Sequence, residues 1–170
     1  MRRLAIPTAA AALSAIALTA CGAHSQPTAS GAAPTTKSDA FMAKTAKEAG
    51  VVTLPDGLEY KIVKSGPTAG LSPKLGDEVK VNYEGTLTDG TVFDSSYKNG
   101  EPVVFPVGGL IPAWNEILQK MKPGDTWLLY VPPALGYGPE GKGPIPPDSV
   151  MVFKLELLGV LPSAPGGSLG

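Results

Sequence analysis

The chain is 170 residues long, and its 14 lysines and arginines nearly balance its 15 aspartates and glutamates, with both signs interspersed. No basic stripe stands ready to neutralise phosphates, which excludes nucleic acid as a partner. A single cysteine excludes an internal disulfide, and the single histidine, His24, lies outside the part that reads as folded, which excludes a Ser-His dyad or a histidine-rich metal site there.

Met1-Arg2-Arg3 precedes an apolar, alanine-rich run from Leu4 to Leu18, short for a membrane span but of signal-sequence length. Residues 1–20 are therefore expected to be a signal peptide and no part of the fold. The segment ends in Leu18-Thr19-Ala20-Cys21, which resembles the bacterial lipobox, a small-residue cleavage site whose cysteine is acylated and becomes the mature N-terminus. The alternative is a plain secretory signal cut after Ala20, with Cys21 incidental. Apart from Cys21, His24 and Lys37, residues 21–37 are Ala, Ser, Thr, Pro, Gly and Gln with nothing to bury, and they read as a tether. If flexible, its roughly sixteen residues span about 20 to 25 Å. Residues 38–50 support a short helix, with Ser38 or Asp39 as its cap, Phe41, Met42 and Ala46 as a thin apolar stripe, and Gly50 as its stop. So short a helix must dock or fray.

The globular domain is expected over 51–161, with a disordered tail at 162–170. Pro55-Asp56-Gly57 marks a turn, and Leu58 to Val63 alternates as a strand. Val79, Val81 and Tyr83 alternate with Lys80 and Asn82, as Phe153, Leu155 and Leu157 do with Lys154 and Glu156, so each strand has one dry and one wet face. Trp127 to Val131 is more apolar: either both its faces are covered, or Leu128 and Tyr130 form a shielded outer face. Thr88-Asp89-Gly90-Thr91 is a hairpin signal. Val104 to Trp114 turns a strand into a helix through Gly108-Gly109, with Pro112 at the first helical position, and Trp114, Ile117, Leu118 and Met121 recur at helical spacing before Lys122-Pro123-Gly124 stops it. One short helix among several antiparallel strands predicts an α+β domain whose sheet wraps a single helix. The N–H groups of that helix's first turn have no internal partner, and a carbonyl-bearing ligand suits one near Ile111.

Catalytic signatures built on a phosphate loop, paired cysteines or a nucleophile elbow are absent from the sequence. What stands out is a set of aromatics at strand ends and glycine turns: Tyr83, Phe93, Phe105, Trp114, Tyr137 and Phe153. Spacing alone reads them as core, with a shared ligand pocket as the sharper alternative, and reads Asp94 as a turn or cap residue.

The blocks Val81-Asn82-Tyr83-Glu84-Gly85, Asp89 to Ser96, Phe105 to Trp114, Gly136-Tyr137-Gly138, and Ile145-Pro146-Pro147 with Val152 to Leu157 together resemble the FKBP-type peptidyl-prolyl cis-trans isomerases in order, spacing and residue type. Phe41 to Lys44 and Gly57 to Lys61 are similar to the macrophage infectivity potentiator subgroup. The resemblance implies a five- or six-stranded antiparallel sheet curled over one helix, with a pocket between them. It implies Trp114 as floor, Tyr83, Phe93, Phe105 and Phe153 as walls, Leu110 and Ile111 as lip, the Ile111 N–H and Tyr137 hydroxyl as donors to substrate carbonyls, and Asp94 at the edge. The sequence departs from the family in Ala113, where glycine is usual, and in Lys142, where some members place a histidine. The implied activity is isomerisation of X-Pro bonds in unfolded or partly folded proteins without cofactor or metal; the rival is a non-catalytic peptide-binding or chaperone lipoprotein of the same fold. Inhibition by macrolides of the rapamycin class, attachment through Cys21 to the outer membrane facing the periplasm, and a monomeric state, since the subgroup's long dimerisation helix has no counterpart here, complete the expectations.

Overall fold

A computed structural model describes residues 36–67 and 69–163. The expected signal peptide, Cys21, and all of the expected tether but Thr36 and Lys37 lie outside the described residues, as does the tail from 164 onward.

Seven antiparallel strands form one sheet. In chain order they are β1 (Val51–Thr53), β2 (Glu59–Lys64), β3 (Glu78–Leu87), β4 (Val92–Ser95), β5 (Val103–Pro106), β6 (Thr126–Val131) and β7 (Met151–Leu161). The spatial order is β1-β2-β6-β7-β3-β4, and β5 shares the outer edge of β3 by pairing with its first half while β4 pairs with its second. The α+β architecture is as expected, with more strands than the five or six foreseen. The strand that no pattern announced is β1, three residues too short to show alternation and formed only because the edge of β2 is there to pair with.

Alternation decides the faces. Val79, Val81 and Tyr83 of β3, Trp127, Leu129 and Val131 of β6, and Met151, Phe153, Leu155 and Leu157 of β7 are all buried in one core. Helix α3 (Pro112–Leu118) lays Ala113, Trp114, Ile117 and Leu118 into it. Pro112 opens this helix as its spacing predicts, but helical geometry stops at Leu118. Met121 stays wholly buried beyond that end, its N–H reaching the Ile117 carbonyl at 3.2 Å, so apolar spacing outruns the helix. A single turn, α2 (Ser96–Asn99), joins β4 to β5. The β3–β4 hairpin forms at the predicted residues, with Gly90 at φ +86° and Leu87 N–H bonded to the Thr91 carbonyl at 2.9 Å.

On the other face, α1 (Lys37–Thr45) covers β2 and β6. The cap is Thr36, not Ser38 or Asp39: its hydroxyl accepts the Asp39 N–H at 3.0 Å while the Asp39 carboxylate accepts the Thr36 N–H at 3.1 Å, a reciprocal capping box. Ser38 is drawn away from capping and donates to the Asp148 carbonyl at 2.6 Å. The helix ends at Thr45, short of Gly50, and the intervening residues continue as turns. Phe41 packs on Tyr130 with ring centroids 6.3 Å apart, and the Thr45 hydroxyl meets the buried Glu59 carboxyl at 2.5 Å. The shielded outer face is therefore the correct alternative for β6: Tyr130 is buried beneath α1, Leu128 half so. At the far end, Ser163, placed in the tail by sequence, is held by Asp77, which accepts its N–H at 2.9 Å.

Candidate active site

Between α3 and the concave face of the sheet lies a cavity of about 450 Å³, lined by every side chain that the sequence offered for a pocket: Tyr83, Phe93, Asp94, Phe105, Leu110, Ile111, Trp114, Tyr137 and Phe153. They come from β3, β4, β5, the β5–α3 turn, α3, the β6–β7 loop and β7, so the site exists only once the whole domain has closed.

The floor is Trp114. Its ring stands nearly perpendicular to Tyr83, Phe105 and Phe153, at centroid distances of 5.2, 5.8 and 5.3 Å. Such edge-to-face contacts add about 0.5 to 1.5 kcal/mol each beyond burial, and here they also hold three walls upright around one base. The indole Nε1–H is buried with no partner among the described residues. A donor left dry costs about 1 to 3 kcal/mol, which the fold tolerates in exchange for an aromatic floor. Phe93 completes the wall, 5.6 Å from Phe153 and edge-on to it. That contact requires Gly85 on β3: a Cβ there would stand 2.6 Å from Phe93 Cζ and 2.8 Å from Phe153 Cε1.

At the rim, the Tyr83 hydroxyl donates to Asp94 Oδ2 at 2.7 Å, while Asp94 Oδ1 accepts the Ser95 N–H at 2.9 Å. Burial, then the hydrogen bond and the charge of Asp94, push the Tyr83 phenol well above its usual range, so it stays a donor. Ser96, wholly buried behind it, accepts the Tyr83 N–H at 2.9 Å and so fixes where Tyr83 leaves the strand.

The lip is held by Asn115. Its Oδ1 accepts the Gly108 N–H and its Nδ2 donates to the Leu110 carbonyl, both at 2.8 Å, which pins the glycine turn against α3. The Ile111 carbonyl accepts from Trp114 and Asn115, whereas the Ile111 N–H, at the cavity mouth, has no acceptor among the described residues. Across the mouth, Tyr137 rides a loop pinned by the Gly138 N–H on the Pro133 carbonyl at 2.9 Å; its hydroxyl has no partner among the described residues. Two unengaged donors thus face an aromatic cup.

Sequence reasoning missed Asn115, Ser96 and Gly85 as site-builders. Ser96 and Gly85 stood inside the motif blocks, so a signal existed; Asn115 carried none beyond being a short amide early in an apolar helix.

The family model for FKBP-type peptidyl-prolyl cis-trans isomerase matches residues 70–158, and the model for the domain amino terminal to such isomerases matches residues 8–62. The chain is 50% identical over 125 residues to the peptidyl-prolyl cis-trans isomerase Mip of Coxiella burnetii, covering 73% of this chain and 54% of that one. It is 46% identical over 129 residues to the outer membrane protein MIP of Legionella longbeachae, covering 75% and 54%. Among solved structures, FkpA from Escherichia coli superposes with a TM-score of 0.71 at 48% identity, over 76% of this chain and 59% of that one. The chain spans about half the length of the curated relatives it matches. With a family model covering residues 70–158 and a pocket assembled from the same blocks, the chain belongs to the FKBP-type peptidyl-prolyl cis-trans isomerases.

Proposed function

We propose that the chain catalyses cis-trans isomerisation of X-Pro bonds in unfolded or partly folded proteins of the bacterial envelope. The observation that carries this reading is the cavity itself: a floor and walls of aromatic rings and two free donors at the mouth. Rotation about an X-Pro bond faces a barrier of about 20 kcal/mol because the twisted amide loses resonance. No covalent bond forms or breaks. The twisted amide is less polar than the planar one, so a dry pocket holds it at a smaller desolvation penalty. The proline ring sits on Trp114 against Phe105 and Phe153, and the Ile111 N–H and Tyr137 hydroxyl hold flanking carbonyls while the bond turns. These contacts act by binding the transition state better than the ground state.

Proline-peptide exchange measured by NMR tests this without a coupled protease. Wild type should turn peptides over, fastest with a bulky apolar residue before proline, and Tyr137→Phe should lose about threefold to tenfold, the worth of one hydrogen bond. Binding without turnover would overturn the reading in favour of a peptide-holding protein. The same cavity is the expected seat of rapamycin-class macrolides, which should compete with peptide.

For location, the lipobox-like end of the leader and the name of the Legionella relative support a lipid anchor on Cys21 in the outer membrane. Cys21→Ser should abolish fatty-acid incorporation; continued labelling overturns the anchor. The domain is expected to be a monomer, since α1 lacks the long apolar face of a pairing helix, and a stable dimer in light scattering overturns that.

A further inference from the structure

One cation lines the cavity. Lys142 sits in the β6–β7 loop on a turn that is unusually well fixed: Lys142 and Ile145 exchange both backbone hydrogen bonds at 2.9 Å, and the Ile145 side chain is anchored in the core. Entry to the turn is equally constrained. Gly141 is at φ +65°, and a Cβ there would stand 2.4 Å from the Ile145 carbonyl oxygen. The side chain leaves this platform toward the pocket, where its ammonium lies over the Tyr137 ring, 5.2 Å from the centroid. A cation over an aromatic face is held at the wall and not in bulk water.

Lys142 also lacks an anion. The ion pair formed among the described residues joins Lys120 to Glu116 on α3, and no carboxylate reaches Lys142. The other charged side chain of the cavity, Asp94, already accepts from Tyr83 and Ser95. The pocket therefore offers an arriving peptide, beside the donor Tyr137, a positive charge with no ion-pair partner among the described residues, while the exposed Asp94 carboxylate is held at the rim by two neutral donors.

We propose that Lys142 sets the charge preference of the site, favouring, among peptides with a polar side chain next to the proline, those that carry an acidic one. This rests on the isomerase reading above. The bound peptide excludes water from the Tyr137 wall, which strengthens attraction between the ammonium and a carboxylate and penalises a second cation.

The test uses peptides identical but for Glu, Gln or Lys beside the proline, on either side, with kcat/KM read by NMR exchange. The ratio of Glu to Gln cancels any general loss of activity. Wild type should favour Glu over Gln by about twofold to fivefold, the scale of a partly exposed pair, and the ratio should fall toward one in about 1 M salt. Lys142→Gln should bring the ratio to one, and Lys142→Glu should invert it in favour of the Lys peptide, which a folding defect cannot do. A wild-type ratio of one at low salt, or a ratio unchanged in Lys142→Glu, overturns the proposal. Should no peptide be turned over, the isomerase reading fails by itself. Dissociation constants of the same peptides, from NMR titration, then decide the charge preference by the same ratios.

Discussion

Tyr83 and Asp94 meet on the pocket side of the sheet, Thr45 and Glu59 on the side covered by α1. Each pair sets a hydroxyl against a carboxyl group, yet their surroundings divide the protons differently. Asp94 is exposed and has a second donor in the Ser95 N–H, so the burden falls on Tyr83, whose ionisation is suppressed. Glu59 is 3% exposed, and its one partner is contested: the Thr45 hydroxyl also lies 3.0 Å from the Met42 carbonyl and 3.3 Å from that of Phe41. A hydroxyl has a single proton to give. When Glu59 itself is protonated it donates to Thr45, which then donates to Met42, and every group is satisfied. Burial raises the Glu59 pKa, the Thr45 bond opposes this, and the charge of Glu48 reinforces it. The same two functional groups thus line the cavity on one face and clasp a helix on the other.

If the faces are separable in this way, damage on the pocket side should appear in turnover and damage under α1 in stability. The largest effect is expected from Phe105→Ala, which deletes a wall ring in contact with both Tyr83 and Trp114. Two aromatic contacts of about 0.5 to 1.5 kcal/mol each imply a loss of about fivefold to 150-fold in peptide exchange; full activity would dismantle the pocket mechanism. Thr45→Val is the matching cut under α1. It strands the Glu59 carboxyl and should lower the unfolding free energy in urea by about 1 to 2 kcal/mol, while small-peptide turnover stays within twofold; an equal loss of turnover would show that the faces are not independent.

Tyr83→Phe should cost turnover only about threefold to tenfold, because the carboxylate it abandons is exposed and can be hydrated. Smaller still is the pH response. A carboxyl group whose folded pKa is raised leaves the native state holding more protons than the unfolded chain just above pH 4.5, so the Glu59 contribution to stability falls as pH rises through that window and levels off above the folded pKa. Glu59→Gln should remove this slope in urea titrations. Turnover should meanwhile be flat from about pH 5.5 to 8.5, since ordinary carboxylates and phenols titrate near 4 and 10 and the Tyr83 phenol is pushed higher still. A bell-shaped profile centred near neutrality would reveal acid-base chemistry that the cavity gives no reason to expect.

How far the sequence could be read follows the same division. The pocket residues were legible because they fall in spaced blocks, although periodicity alone read the aromatics as core. They are both: Tyr83, Trp114 and Phe153 are core residues whose inner edges are the cavity wall. The start of α3 was legible because Pro112 suits a first turn, and its end was not, because Met121 stays buried and its N–H still reaches the Ile117 carbonyl beyond the last helical residue. The cap of α1 was misplaced by two or three residues. Thr36, Ser38 and Asp39 all have capping chemistry, and the choice was made by the Asp148 carbonyl, more than a hundred positions away in the chain. Lys142 over Tyr137 and Asn115 across the glycine turn join residues five to seven positions apart through loop geometry that apolar spacing does not announce.

The position of β7 carries a consequence for how such a molecule comes into being. This strand, the last among the described residues, lies inside the sheet, hydrogen-bonded to β6 on one side and to β3 on the other, and it brings Phe153 to the cavity. Until residues 151–161 have emerged, β3 and β6 each present an open edge, a state prone to wrong pairing. Pairings that span most of the domain also close slowly. A nascent chain that stops short of Met151 therefore has no site at all, and the pocket forms only when β7 takes its place between β3 and β6.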